Sequence, residues 1–451
     1  MSSLRLSNFG LQGVIGEALT PDIVIDFAAA YGTYLDGAPV MVGRDTRQSS
    51  RMLHAAVLSG LMSTGTDVID LDICPTPMLQ FAAMQRDVGG AIAISGGHNR
   101  VGMNGMVLIG SDGGFVNPVA GEAVLDIYHA RDFRRRRWDQ SGNIRQSSSI
   151  VNDYFAVLGA FVDTDAIRQS KFRVIVDPVN GAGCRCLEPF AACLGIEVIP
   201  INAIESGYPA HDVEPRPRNS RQVAALVPHI LSDIGFVSSS DMGRIAIVAE
   251  TGETASEEYT LPLIADYLLA RQSGTLVTNC CTTRILDDVA ARHEARIVKS
   301  SVGQAYVIST LTDESGILGG EGNGSVAIPE FNRAFDGFVS MAIILEAMAL
   351  HKTRASELIR DLPRYHMTKR KLPAPPHRCY RAMEGLEHLA EFTEGGTIST
   401  QDGIRVDWED GWIHVRASQT EPMIRIISES KSRIDAEARA VNAARLIEEE
   451  L

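Results

Sequence analysis

Short apolar runs of strand length alternate with helix-length amphipathic segments along this chain, and the cycle restarts twice. The first cycle holds PVMVG at 39–43, a helical pattern at 49–65, TDVIDLD at 66–72 and GAIAIS at 90–95. The second begins with FRVIVDPV at 172–179 and passes through a helix from about 181, EVIPIN at 197–202 and RIAIVAE at 244–250. The third contains TLVTN at 275–279, a helix over 282–293, RIVKS at 296–300 and SVAIPE at 325–330. Such alternation predicts α/β architecture with mixed, mostly parallel sheets covered by helices. The three cycles predict three tandem similar α/β domains, over 1–148, 149–253 and 254–366.

The pattern changes over 367–451, which reads as a smaller α+β domain. KRKLPAPPHR at 369–378 is Pro-rich and basic and reads as a linker. Beyond it the chain predicts antiparallel strands, two of them joined at Glu409-Asp410-Gly411, and a closing helix over about 434–450.

Composition narrows the function classes. Lys+Arg number 42 against 56 Asp+Glu, a net charge of −14, whereas a nucleic-acid binder needs clustered surface cations. Arg134–Arg137 beside Trp138 therefore reads as a solvated segment, and no nucleic-acid partner is expected. A local pocket can still be positive on an acidic protein, so small anions stay open as ligands. The seven cysteines include Cys184, Cys186, Cys280 and Cys281, but no metal-ligand spacing accompanies them, and they read as unpaired thiols. The first residues lack the apolar core of a signal peptide. The longest apolar stretch, Phe338–Leu350, contains Glu346 and is short of the ~20 residues that span a bilayer. No membrane partner is expected, and the location expected is cytoplasmic.

One loop carries a phosphate signal. Arg416-Ala417-Ser418-Gln419-Thr420-Glu421-Pro422, with Arg425 beyond it, lies between two strand-like runs. It offers guanidinium groups, hydroxyls and backbone amides, the donors that fill phosphate oxygens. A turn with a capping serine is the simpler alternative.

The R-x-S-x-T-E-P pattern resembles the phosphate-binding loop of the α-D-phosphohexomutases, which include phosphoglucomutases, phosphomannomutases and phosphoglucosamine mutases. The resemblance covers essentially the whole chain. Val42-Gly43-Arg44-Asp45-Thr46-Arg47 is similar to that family's V-G-x-D-x-R segment, and Pro75-Thr76-Pro77, Gly96-Gly97-His98-Asn99 and Asn104-Gly105 follow in order. Gly319-Gly320-Glu321 and Asp336-Gly337 fit the third domain, and the opening Phe9-Gly10 to Gly16 is closest to the phosphoglucosamine mutase style. The resemblance implies four domains around a central cleft, a phosphoserine that passes its phosphate to a sugar, and a Mg²⁺ ion beside it.

Carried over position by position, most of the transfer machinery is replaced. The family loop T-x-S-H-N-P is here Ser95-Gly96-Gly97-His98-Asn99-Arg100, with Gly97 in the phosphoserine's place. The metal loop D-x-D-x-D-R is Ser239-Ser240-Asp241-Met242-Gly243-Arg244, which keeps one carboxylate of three, so Mg²⁺ would be held weakly and no cofactor is expected. Val107 stands where a lysine base is expected, and Ile15 replaces the arginine of the opening pattern. The sugar loop G-E-x-S-G-H is Gly320-Glu321-Gly322-Asn323-Gly324-Ser325. The expected ligand contacts are therefore Arg244, Glu321, Asn323, Arg416, Ser418, Gln419, Thr420 and Arg425, with Ser95 and His98 as the remaining catalytic candidates.

Three readings follow. The first is a catalytically silent, pseudoenzyme-like protein that binds a phosphorylated sugar, alone, as a homo-oligomer or beside an active mutase paralogue. The second is an enzyme of altered chemistry, with His98, Asp241 and Glu321 as acid–base groups. The third is an active phosphohexomutase using Ser95 as a displaced nucleophile. Ser95 stands two residues from the expected site, several Å along an extended chain.

Overall fold

Val40–Arg44 becomes an inner strand of the first sheet, flanked in parallel by Val68–Ile73 and Gly90–Ile94. Val40, Met41 and Val42 are fully buried, the state a continuous apolar run needs between two helical layers. Ile144–Gln146 extends the sheet in parallel on one side, while Met103–Gly110, Gly10–Val14 and Arg5–Ser7 add antiparallel strands on the other. The computed structural model describes residues 4–387, 390–418 and 422–450. The chain forms two compact units, Met1–Thr260 with Asn323–Ile359, and Leu261–Gly322 with Arg360–Leu451.

The second sheet of the first unit is mixed. Arg173–Asp177 lies in parallel between Glu197–Pro200 and Ile234–Ser238, and Ile245–Ala249 pairs antiparallel with the latter. The sequence pattern does not single out Ile234–Ser238, because Gly235 interrupts its apolar run. That glycine is required by packing, since a Cβ there would meet Val223 Cγ1 at 2.4 Å.

The longest apolar stretch forms the helix Gly337–His351, buried from Gly337 to Met348. A helix apolar all round belongs in an interior. Its acid, Glu346, accepts a hydrogen bond from the Asp163 amide at 2.8 Å. Asp336 caps it, accepting from the Phe338 amide and from the Tyr154 hydroxyl. No helix among the described residues is long and apolar enough to cross a membrane. Trp138 is exposed, and the neighbouring Arg134 and Arg135 pair with Asp36 and Asp26.

In the second unit, Thr275–Asn279 lies in parallel between Arg296–Ser300 and Leu318–Glu321. The other sheet of this unit is antiparallel, in the order His366–Pro373, Met423–Ser430, Gly411–Ala417, Ile404–Trp408, Thr397–Ser399. Alternation splits its faces. Val406, Ile413, Val415, Ile424 and Ile426 pack on the helix Arg433–Glu450, and Arg405, His414, Arg416 and Arg425 fall on the other face. Trp408 and Gly411 bracket the two-residue turn at Glu409-Asp410 that the sequence predicts.

One expectation is corrected. The segment 369–378 is not a linker: His366–Pro373 is an edge strand paired over its whole length with Met423–Ser430, and the helix Pro376–Glu387 follows. Cationic side chains and a terminal proline are what an edge strand tolerates, because charge deters further pairing and the last residue need not donate to the ladder.

Candidate functional site

The first unit builds its site from a buried carboxylate. Asp45 follows Val40–Arg44 and is 1% exposed. It accepts from the amides of Arg47 (3.0 Å) and Gly96 (2.9 Å), from the Ser95 hydroxyl (3.1 Å) and from the Ser50 hydroxyl. Ser95 Oγ also accepts from the Gly97 amide at 2.9 Å, so this hydroxyl is spent on the shape of its own loop. The Arg47 guanidinium, its Nε 3.4 Å from Asp45, donates to the carbonyls of Gly97 (3.1 Å), Asn99 (2.7 Å), Arg100 (3.2 Å) and Met103 (2.6 Å). The loop is thereby wrapped on a buried ion pair. His98 is exposed on it. Val107 lies in the neighbouring strand Met103–Gly110, opposite Gly10.

The loop after Ile234–Ser238 meets it. Ser239 Oγ donates to Asp241 Oδ1 at 2.6 Å and accepts from the Arg244 amide at 3.1 Å, and the Gly243 amide donates to the same Oδ1 at 3.1 Å. Ser240 Oγ donates to the Gly97 carbonyl at 2.8 Å. Gly97 has φ +50°, and a Cβ built on it would lie 3.3 Å from Asp241 Oδ2. Gly97, the position that the family resemblance gives to the phosphoserine, thus faces a carboxylate oxygen. Arg244 Nη1 lies 3.6 Å from Glu214, which Arg216 holds at 2.6 Å.

These residues do not fit a resident Mg²⁺ ion. Such an ion needs an octahedral set of oxygens. Here a serine and a glycine stand for two carboxylates, and one oxygen of Asp241 already accepts two hydrogen bonds. Among the described residues no three His, Cys, Asp or Glu are grouped to hold a metal ion.

The second unit carries a row of cations. Arg416 and Arg425 are register partners on adjacent strands, and Lys371 is the partner of Arg425 on the next. Partners in an antiparallel ladder share a face, and like charges placed there repel unless an anion lies among them. Asp402 Oδ2 supplies one, 3.5 Å from Arg416 Nη1. The Ser418 amide donates to the Met423 carbonyl at 2.9 Å, while Gln419 and Thr420 lie outside the described residues. Lys371 escapes sequence reading because its segment resembles a linker; only the strand register places it beside Arg425. Glu321 is 5% exposed and accepts from Asn279 Nδ2 (2.8 Å) and the Gly303 amide (2.9 Å). Asn323, in the first unit, accepts from the Ser325 amide at 3.1 Å and so shapes its own turn.

A thiol and an imidazole also meet here: Cys281 Sγ lies 3.0 Å from His414 Nδ1, and His414 Nε2 bonds the Asp402 carbonyl. Burial pulls His414 down to about 4 and pushes Cys281 up to about 12, so the pair is a neutral thiol and a neutral imidazole, not an activated nucleophile.

Comparison with known proteins places the whole chain. The four domain models of phosphoglucomutase/phosphomannomutase match in order, the α/β/α domains I, II and III over 6–135, 152–252 and 256–365 and the C-terminal domain over 367–446. The chain is 35% identical over 457 residues to a phosphoglucomutase/phosphomannomutase of Thermococcus kodakarensis, covering 98% of each.

The chain belongs to the phosphoglucomutase/phosphomannomutase family.

This member of the α-D-phosphohexomutases is also 33% identical to a probable phosphoglucosamine mutase of Pyrococcus abyssi, covering 98% of this chain and 97% of the other. A crystal structure of a phosphoglucomutase/phosphomannomutase family protein from Burkholderia thailandensis superposes with a TM-score of 0.85 at 25% identity, covering 98% of both. Of the positions singled out from the sequence, the phosphohexomutase fold brings Gly97, Ser95 and Asp241 into one network in the first unit. It brings Arg416 and Arg425 together in the second, where Lys371 joins them.

Proposed function

We propose that this phosphohexomutase-family protein binds a phosphorylated hexose or hexosamine through the cation row and loop of its second unit, without the phosphoserine relay of its family. The observation that carries the reading is Gly97: no hydroxyl is present to accept a phosphoryl group, and the space beside it is bounded by Asp241 Oδ2 at 3.3 Å from a would-be Cβ. A carboxylate there repels an incoming phosphate unless a cation intervenes, and the loop that would hold one has lost two of its three carboxylates. Ser95 is a poor substitute, since its hydroxyl is held between Asp45 and the Gly97 amide. The names of the similar proteins, mutases acting on glucose, mannose and glucosamine phosphates, support the ligand class. The register-paired Arg416 and Arg425, with Lys371 on the next strand, put three cationic residues on one face of the sheet, which supports an anionic ligand.

A second reading rests on Asp241. Its Oδ1 is engaged within the loop while Oδ2 faces the space left by Gly97, an arrangement suited to a general base in chemistry that needs no phosphoenzyme.

The test is calorimetry with hexose 1- and 6-phosphates and their bisphosphates, with and without Mg²⁺, beside a coupled isomerisation assay. The expected result is binding that Arg416→Ala abolishes and Mg²⁺ leaves unchanged, with no conversion between 1- and 6-phosphates. Isomerisation by the wild-type chain with Mg²⁺ and bisphosphate would overturn the reading.

A further inference from the structure

Asp402 sits where three separate interactions of the second unit converge. It lies in the turn between Thr397–Ser399 and Ile404–Trp408, next to Gly403 at φ +81°, whose added Cβ would meet the Val415 carbonyl at 2.4 Å. Only glycine closes that turn, so the Asp402 backbone is fixed against Gly411–Ala417. His414 holds it as well, bonding the Asp402 carbonyl through Nε2. A backbone carbonyl only accepts, so Nε2 carries the proton and Nδ1 is the lone pair facing Cys281. The carboxylate is thus presented by a rigid support.

From that support one oxygen, Asp402 Oδ2, serves two loops. It lies 3.5 Å from Arg416 Nη1 and accepts from the Val302 amide at 2.8 Å. The next residue, Gly303, donates its amide to Glu321 Oε1 at 2.9 Å. Arg416 and Glu321, far apart in sequence, are therefore connected through one carboxylate oxygen and two consecutive backbone amides. Both side chains of the Arg416–Asp402 pair are mostly covered, 11% and 15% exposed, so screening by salt is incomplete.

We propose that Asp402 is a positioning residue that couples the anion loop at Arg416 to the Glu321 loop. Resting on the ligand class proposed above, the coupling works by exchange. An incoming phosphate competes with Asp402 for Arg416, the Asp402 carboxylate turns fully to Val302, and the 302–303 amides set Glu321 for the sugar hydroxyls. A bare anion gains from Arg416 alone, whereas a sugar phosphate also gains from the ordered Glu321 loop.

The test is a double-mutant cycle on the full chain with Asp402→Asn and Glu321→Gln, titrated with inorganic phosphate and with the tightest-binding hexose phosphate. Asp402→Asn is expected to leave phosphate affinity equal or raised and to reduce the preference for hexose phosphate over phosphate by about tenfold, the size of an ordinary coupling between sites. Glu321→Gln is expected to reduce the same preference, and the double variant to lose no more than the larger single loss. Additive losses, or an unchanged preference in Asp402→Asn, overturn the coupling and leave the ligand class standing. Absence of any binding to wild type, or binding that survives Arg416→Ala, overturns the ligand class itself. If Asp402→Asn does not fold, amide exchange at Val302 and Gly303 in wild type decides: inorganic phosphate is expected to change it, and no change overturns the proposal.

Discussion

Replacing Arg47 by methionine tests how the loop through Gly97 is held. The substitution keeps most of the side-chain volume but removes the charge beside Asp45 and four donors to loop carbonyls. Burial pulls the Arg47 pKa down, but the charges of Asp45 and Asp241 oppose it, and the guanidinium stays charged. Removing one partner of a buried ion pair costs about 3–5 kcal/mol. The lower end applies here, because Asp45 keeps its bonds from two backbone amides and from Ser50 and Ser95. Gly97's carbonyl keeps Ser240, and water can reach the exposed Arg100. For a unit of this size, at roughly 2 °C per kcal/mol, the melting transition of the first unit should fall by about 6 °C. Scanning calorimetry would read that shift, and amide exchange at Gly97 and Asn99 should accelerate ahead of the rest of the sheet. A transition moved by under about 1 °C with unchanged exchange would refute the claim that Arg47 holds the loop.

Two further outcomes follow from the same geometry. Gly97→Ser forces a side chain into φ +50° and against Asp241, so it should cost about 1–2 kcal/mol and still give no mutase turnover, since the metal loop stays incomplete; turnover in a coupled assay would count against it. His211 lies between the Asp212 carbonyl (2.9 Å) and Asp177 (3.0 Å), two acceptors that favour the protonated ring. Burial lowers its pKa, but the Asp177 hydrogen bond and charge outweigh that and raise it above 6.5. The raised value means its stabilisation is complete below pH 6.5 and disappears as pH climbs through the folded pKa. NMR should place the His211 midpoint above 6.5, and cleavage of the 203–216 loop by protease should increase beyond that midpoint; a midpoint at or below 6.5 would refute it.

Much of this protein could be read from local pattern. The buried runs of the first sheet and the hairpin at Glu409-Asp410 each follow from apolar patterning or turn chemistry within a few residues. The motif residues Asp45, Gly97, Asp241, Glu321 and Arg416 stand out by family resemblance. What local pattern misreads is the edge strand His366–Pro373, whose lysines and terminal proline are those of a linker until a partner strand is supplied.

The glycine at position 97, and the serine and glycine at 239 and 243 where the family resemblance expects carboxylates, are facts of the sequence alone, because each is a residue type at one position. That Ser95 is committed to Asp45, that Asp241 turns an oxygen toward Gly97, and that Lys371, Arg425 and Arg416 stand side by side are decided only by tertiary structure. Hydrogen bonds and charge neighbours join residues distant along the chain, and their partners are set by strand register and loop closure, which no local run of residues specifies.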